Sequence, residues 1–136
     1  MDAKLPGGDM LRLNRWIVAV MAMMFLATLL PGTASADTMT FKLRSFSKYA
    51  VDVAFHSQNR RNVWPRPGKA YVLRDYNVTE YRLTCISGER ICYGGTVRGD
   101  ATHFWGVGAN GKHICQSCCY TCDGGNVTTV INLNER

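Results

Sequence analysis

The chain has 136 residues, 46% of them hydrophobic, six cysteines and a formal net charge of +6. That length excludes more than one sizeable domain. The basic excess favours anionic partners or surfaces without naming one.

The first 36 residues read as a leader outside the fold. Residues 16–30, WIVAVMAMMFLATLL, form a 15-residue uncharged apolar run behind Arg12 and Arg15. Pro31-Gly32 ends any helix there, and Ala34-Ser35-Ala36 supplies an A-x-A site. A basic lead, an apolar helix and a small-residue site are the three parts of a secretory signal peptide, with cleavage expected after Ala36. A membrane-spanning helix needs roughly 20 apolar residues, so a retained anchor is the less fitting alternative. The expected mature chain, 37–136, is a single domain of 100 residues carrying 13 Lys and Arg against 8 Asp and Glu, a net +5. Its core has a small margin of stability at that size.

From residue 40 onward the pattern predicts strands. TFKL (40–43) comes first, then YAVDVAFH (49–56), where Tyr49, Val51, Val53 and Phe55 alternate with Ala50, Asp52, Ala54 and His56. That is the period of a strand with one buried face. AYVLRD (70–75), TEYRLTC (79–85), ICYGGTV (91–97), HFWGV (103–107) and VTTVINL (127–133) follow, rich in β-branched and aromatic residues. SGER (87–90) and ANGK (109–112) read as hairpin turns. WPRPGK (64–69) is a Pro/Gly connection unsuited to a central strand. Seven or so short strands with no helical period predict an all-β fold, a small antiparallel β-sandwich or barrel-like domain after an N-terminal signal peptide helix.

All six cysteines, Cys85, Cys92, Cys115, Cys118, Cys119 and Cys122, fall in the expected mature chain. A secreted or periplasmic location is oxidising, and an even count fits three disulfides. If Ser87–Arg90 close a hairpin, Cys85 faces Cys92 across it; alternatively both meet the later cluster. CQSCCYTC (115–122) sets two C-x-x-C pairs back to back. A four-cysteine zinc site separates its pairs by roughly 15–20 residues, and here none separate them. A thioredoxin-like pair needs a helix N-terminus, but Cys122 runs into Asp123-Gly124-Gly125. A thiol-redox or zinc-binding role for the cluster is therefore the alternative to a structural staple, and no metal or cofactor is expected.

The segment QNRRNVWPRPGK (58–69) carries Arg60, Arg61, Trp64, Arg66 and Lys69 and no acid. These five are the candidate ligand-binding residues. Arginine with tryptophan suits an anionic membrane surface or an acidic glycan; the plainer reading is a solvated basic loop with Trp64 folded onto the core. Four basic residues replaced together are expected to weaken binding and spare the fold. His56, His103 and His113 share no metal-ligand spacing, and no nucleophile elbow or phosphate-binding loop occurs, so no catalytic residue is assigned. Asp100 and His103 are the only hint of a secreted hydrolase, by proximity in sequence. No groove-reading motif points to nucleic acid. The expectation is an exported, disulfide-stabilised binding or structural domain, with its oligomeric state open.

Overall fold

A computed structural model describes residues 32–135. Nine strands make up two sheets, and no helix occurs among the described residues. They are β1 (Ala36–Ser45), β2 (Val51–Ser57), β3 (Val63–Trp64), β4 (Tyr71–Leu73), β5 (Thr79–Ile86), β6 (Arg90–Val97), β7 (Asp100–Gly106), β8 (Cys119–Thr121) and β9 (Val127–Leu133). The expected signal helix, residues 1–31 of it, lies outside the described residues.

The first sheet has the order β5-β1-β9. Alternation along β1 turns Met39, Phe41, Leu43 and Ser45 inward and leaves Thr40, Lys42 and Arg44 towards solvent. β5 pairs with β1 antiparallel, from Ala36 opposite Ile86 to Leu43 opposite Thr79. β9 pairs with β1 in parallel, which corrects the expectation of a wholly antiparallel fold. A register shift between Thr40 and Lys42 accommodates an extra β9 residue there. The Thr128 hydroxyl fills the gap by accepting the Lys42 amide at 3.0 Å.

The second sheet is built on the antiparallel pair β2–β6. Each outer edge is one interrupted strand. Along β2, β3 pairs with Phe55 and His56, and β4 with Val51, Asp52 and Val53. Along β6, β7 covers Gly94 to Val97 and β8 covers Arg90 to Cys92. The interruptions are loops 65–70 and 107–118. The two sheets close on one core, in which the Phe41 and Phe55 rings meet at 4.7 Å and Tyr71 and Tyr81 at 4.8 Å. Burial, with Tyr71 and Asp75 beside it, pushes the Tyr81 hydroxyl up to about 12.

β5 and β6 do not form the expected hairpin, because they belong to different sheets. Each has an apolar face that must meet the same core from opposite sides, so the chain crosses between layers at 87–89. Cys85 and Cys92 consequently do not face each other. The disulfides are Cys85–Cys122, Cys92–Cys119 and Cys115–Cys118, so both early cysteines meet the later cluster. ANGK does form a turn, with the Gly111 amide donating to Gly108. It joins no pair of adjacent strands, since the chain leaves β7 and returns as β8 on the same edge of β6.

The disulfides contribute unequally. Cys85–Cys122 joins opposite layers across a separation of 37 residues, and Cys115–Cys118 spans only 3. Loop-closure entropy assigns about 4 kcal/mol to the former and about 2 kcal/mol to the latter. Replacing Cys85 and Cys122 together by Ala should therefore lower the denaturation free energy roughly twice as far as replacing Cys115 and Cys118, measured in urea under non-reducing conditions.

Candidate binding surface

The five residues singled out by sequence divide into two groups. Arg60 is engaged: its Nε donates to Glu89 Oε1 at 2.6 Å and a terminal nitrogen donates to Oε2 at 3.2 Å. The Glu89 carboxylate also accepts the Ser57 hydroxyl at 2.5 Å and the Ile86 amide at 2.8 Å. Glu89 is 3% exposed, so a buried charge sits in the crossing between layers with a full set of donors. Burial opposes its ionisation, but the bonds from Arg60, Ser57 and Ile86 prevail and hold it below the ordinary value of 4.5. Trp64 is engaged as well. It lies opposite Phe55 and packs on the core. Its indole donates to the Thr84 carbonyl of the other sheet at 3.2 Å, and the Arg60 guanidinium stands 5.8 Å from its ring.

Arg61, Arg66 and Lys69 form the second group. All three are exposed, and none has an ion-pair partner among the described residues. The structure thus corrects the expectation that all four basic residues can be replaced without harm to the fold, since Arg60 neutralises a buried carboxylate.

Lys69 opens onto a surface that the sequence did not disclose. On the outer face of the second sheet, Asp52, Ala54 and His56 of β2 stand beside Thr96, Gly94 and Cys92 of β6. Loop 107–118 folds down over part of this face. The Ala109 amide donates to Thr96 Oγ1 at 2.9 Å, and the Ala109 carbonyl takes a bond from His56 Nε2 at 3.1 Å. Any Cβ at Gly94 would overlap the Gly108 carbonyl, so the close approach requires glycine. The His113 ring stacks on Phe104 at 3.5 Å, and Cys92–Cys119 and Cys115–Cys118 fasten the far end. Burial lowers the His56 pKa, against the Ala109 carbonyl that raises it, which favours the neutral ring under this loop.

Between this loop and loop 65–70 runs a groove of about 600 Å³, lined by Asp52, His56, Pro67, Lys69, Arg98 and Asn110. A second hollow of about 380 Å³ adjoins it, lined by Lys48, Tyr49, Arg98, Asp100, His103 and Trp105. Arg98 lines both, fixed by its ion pair to Asp52 at 2.8 Å. Asp100 accepts the Thr102 hydroxyl at 2.6 Å, the Thr102 amide at 3.0 Å and His103 Nδ1 at 2.8 Å. Those bonds, Thr102 foremost, bring its carboxyl down to about 2. The contact with the Asp100 carboxylate places a proton on His103 Nδ1.

The cysteine cluster offers no open thiol. The sulfurs of Cys92, Cys118 and Cys119 lie within 4.8 Å of one another, but all six cysteines are bonded in pairs. In this form none provides the thiolate that metal binding or disulfide exchange requires.

Glu89 and Arg60 generate a test. Removing the exposed Arg60 leaves the buried Glu89 carboxylate with only its Ser57 and Ile86 donors, so Arg60→Ala should cost about 1–2 kcal/mol. Arg66→Ala, at an exposed position, should stay within about 0.5 kcal/mol of wild type. Because the folded Glu89 pKa is depressed, its contribution is present above pH 4.5 and is lost as pH falls through the folded value. Urea denaturation of both variants and of Glu89→Gln between about pH 3 and pH 7 reads these effects. No family model, curated protein or solved structure matches this chain.

Proposed function

We propose that this is an exported, non-catalytic binding domain, secreted or periplasmic, that holds an anionic partner through the basic β3–β4 edge. Three disulfides and a fold without free thiols suit an oxidising compartment. The observation that carries the reading is the uncompensated charge of Arg61, Arg66 and Lys69. Residues 58–69 contain no acid, and Glu89, which approaches this segment, is taken up by Arg60. Three exposed cations with no ion-pair partner among the described residues raise the local potential and attract phosphate, carboxylate or sulfate groups. Loop 65–70 is short and bears two prolines, which limits the entropy lost when it is ordered against a partner.

Acidic glycan and anionic membrane share that chemistry. Each cation contributes about 0.5–1 kcal/mol at such a surface. The combined variant Arg61→Ala, Arg66→Ala, Lys69→Ala should therefore bind alginate, and vesicles with one-third phosphatidylglycerol if these are the target, at least about tenfold more weakly than wild type. Its thermal midpoint should be unchanged, because Arg60 remains. Wild-type affinity that fails to fall between about 50 and 300 mM salt would count against the proposal.

A further inference from the structure

Two of the disulfides lie against each other. Cys92–Cys119 and Cys115–Cys118 are separate bonds, yet the sulfurs of Cys92, Cys118 and Cys119 fall within 4.8 Å of one another. Cys118 is the link: it is bonded to Cys115 and stands beside both sulfurs of the other bond. The Cys119 sulfur in turn lies 3.9 Å from the Cys115 carbonyl oxygen. Backbone hydrogen bonds hold this placement along with the disulfides. The Tyr93 amide donates to the Cys118 carbonyl at 3.0 Å, and Cys119 pairs with Cys92 across β8 and β6. Cutting Cys115–Cys118 therefore leaves the Cys118 backbone fastened beside β6.

The three bonds differ in access. Cys85, Cys92, Cys118 and Cys122 are each at most 2% exposed. Cys115 and Cys119 are half-buried. Of these two, Cys119 lies in β8 against β6, whereas Cys115 sits among exposed residues, with Ile114 beside it 97% exposed and Gln116 and Ser117 open to solvent. Cys115–Cys118 also closes the shortest loop, a separation of 3 residues against 27 and 37, so chain entropy opposes its opening least.

We infer that Cys115–Cys118 is the entry point of a thiol–disulfide exchange relay, which takes small thiols from solution and passes the break to Cys92–Cys119. An external thiolate attacks Cys115 Sγ. A mixed disulfide forms there, the bond to Cys118 breaks, and Cys118 leaves as the thiolate. Cys118 then attacks Cys92 Sγ. A Cys92–Cys118 bond forms, Cys92–Cys119 breaks, and Cys119 leaves as the thiolate. Attack on Cys119 instead would close a strained ring between adjacent residues. Cys119 finally attacks Cys115 Sγ in the mixed disulfide, forming Cys115–Cys119 and returning the external thiolate. Two disulfides enter and two leave, with no net oxidation. The exchange relocates the fastening of loop 107–118, one wall of the groove, and leaves Cys85–Cys122 between the layers intact. It is independent of the anionic partner proposed above.

Oxidised protein treated with glutathione at about pH 8, where thiols are partly ionised, then quenched in acid, alkylated and mapped by tandem mass spectrometry, tests this. The expected first adduct is at Cys115. A Cys92–Cys118 bond follows, with the alkylating label at Cys119, while Cys85–Cys122 stays closed. In the combined variant Cys115→Ser, Cys118→Ser, the same treatment should open Cys92–Cys119 at least about tenfold more slowly than in wild type. The thermal midpoint of the oxidised variant reports its folding, and the wild-type map decides the matter without it. A first adduct at Cys92 or Cys119, or a label that stays at Cys118 with Cys92–Cys119 closed, would overturn the inference. Earlier opening of Cys85–Cys122, or opening of Cys92–Cys119 in a folded variant at the wild-type rate, would do the same. So would protein that takes up no glutathione and keeps its original pairing.

Discussion

A buried carboxylate at the crossing between the two sheets is the constraint on which the rest depends. The chain leaves β5 in one layer and enters β6 in the other within three residues, and Glu89 is the one that turns inward. Burying a charge is costly unless it is paired and hydrogen-bonded. Four donors, two from Arg60 and one each from Ser57 and Ile86, meet that need. They come from β5, from the end of β2 and from the segment after it, so satisfying one side chain joins both layers. The Cys85–Cys122 disulfide closes the same end, and the Cys122 amide donates to the Glu89 carbonyl at 2.8 Å.

Once that end is fixed, the opposite edges of the second sheet are free to carry loops. β3 and β4 are collinear along β2, as β7 and β8 are along β6, and each pair is parted by an excursion. The two excursions flank the β2–β6 face and leave a groove between them. Loop 107–118 is held by backbone contact at Gly94, by His56 and by two disulfides, whereas loop 65–70 is stiffened by its own prolines. Rigid walls on a rigid floor reduce the ordering cost of binding. The cations then separate: Arg60 is bound to Glu89, and Arg61, Arg66 and Lys69 stay exposed without an ion-pair partner among the described residues.

Period-2 alternation made most strands legible, because a one-sided strand must alternate. The seven runs read from sequence all appear as strands, and VTTVINL has the bounds expected of it. What was not legible was pairing. Alternation says which face of β5 is buried, not which sheet it joins, so SGER looked like a hairpin turn. The short strands β3 and β8 were hidden because two or three residues beside Pro or Cys carry no period. The candidate surface was half legible. A run of arginines shows charge but not which arginine meets a distant acid, and Glu89 lies 29 residues from Arg60. The groove, with Asp52, His56, Arg98 and Asn110, is assembled from separate segments and has no local signature. Gly94 and Gly108 are a trace of it in the sequence, since their close approach leaves no room for a side chain at position 94.

A double-mutant cycle on Arg60→Ala and Glu89→Gln, read by urea denaturation near pH 7, tests the central claim most directly. If the Arg60–Glu89 pair joins the layers, the two changes are strongly non-additive, with a coupling of about 1.5 kcal/mol or more, since the second change costs little after the first. Additive losses within about 0.5 kcal/mol would mean that the two side chains act independently. Arg60 would then rejoin the exposed cations, and the division between fold and binding surface would have to be redrawn.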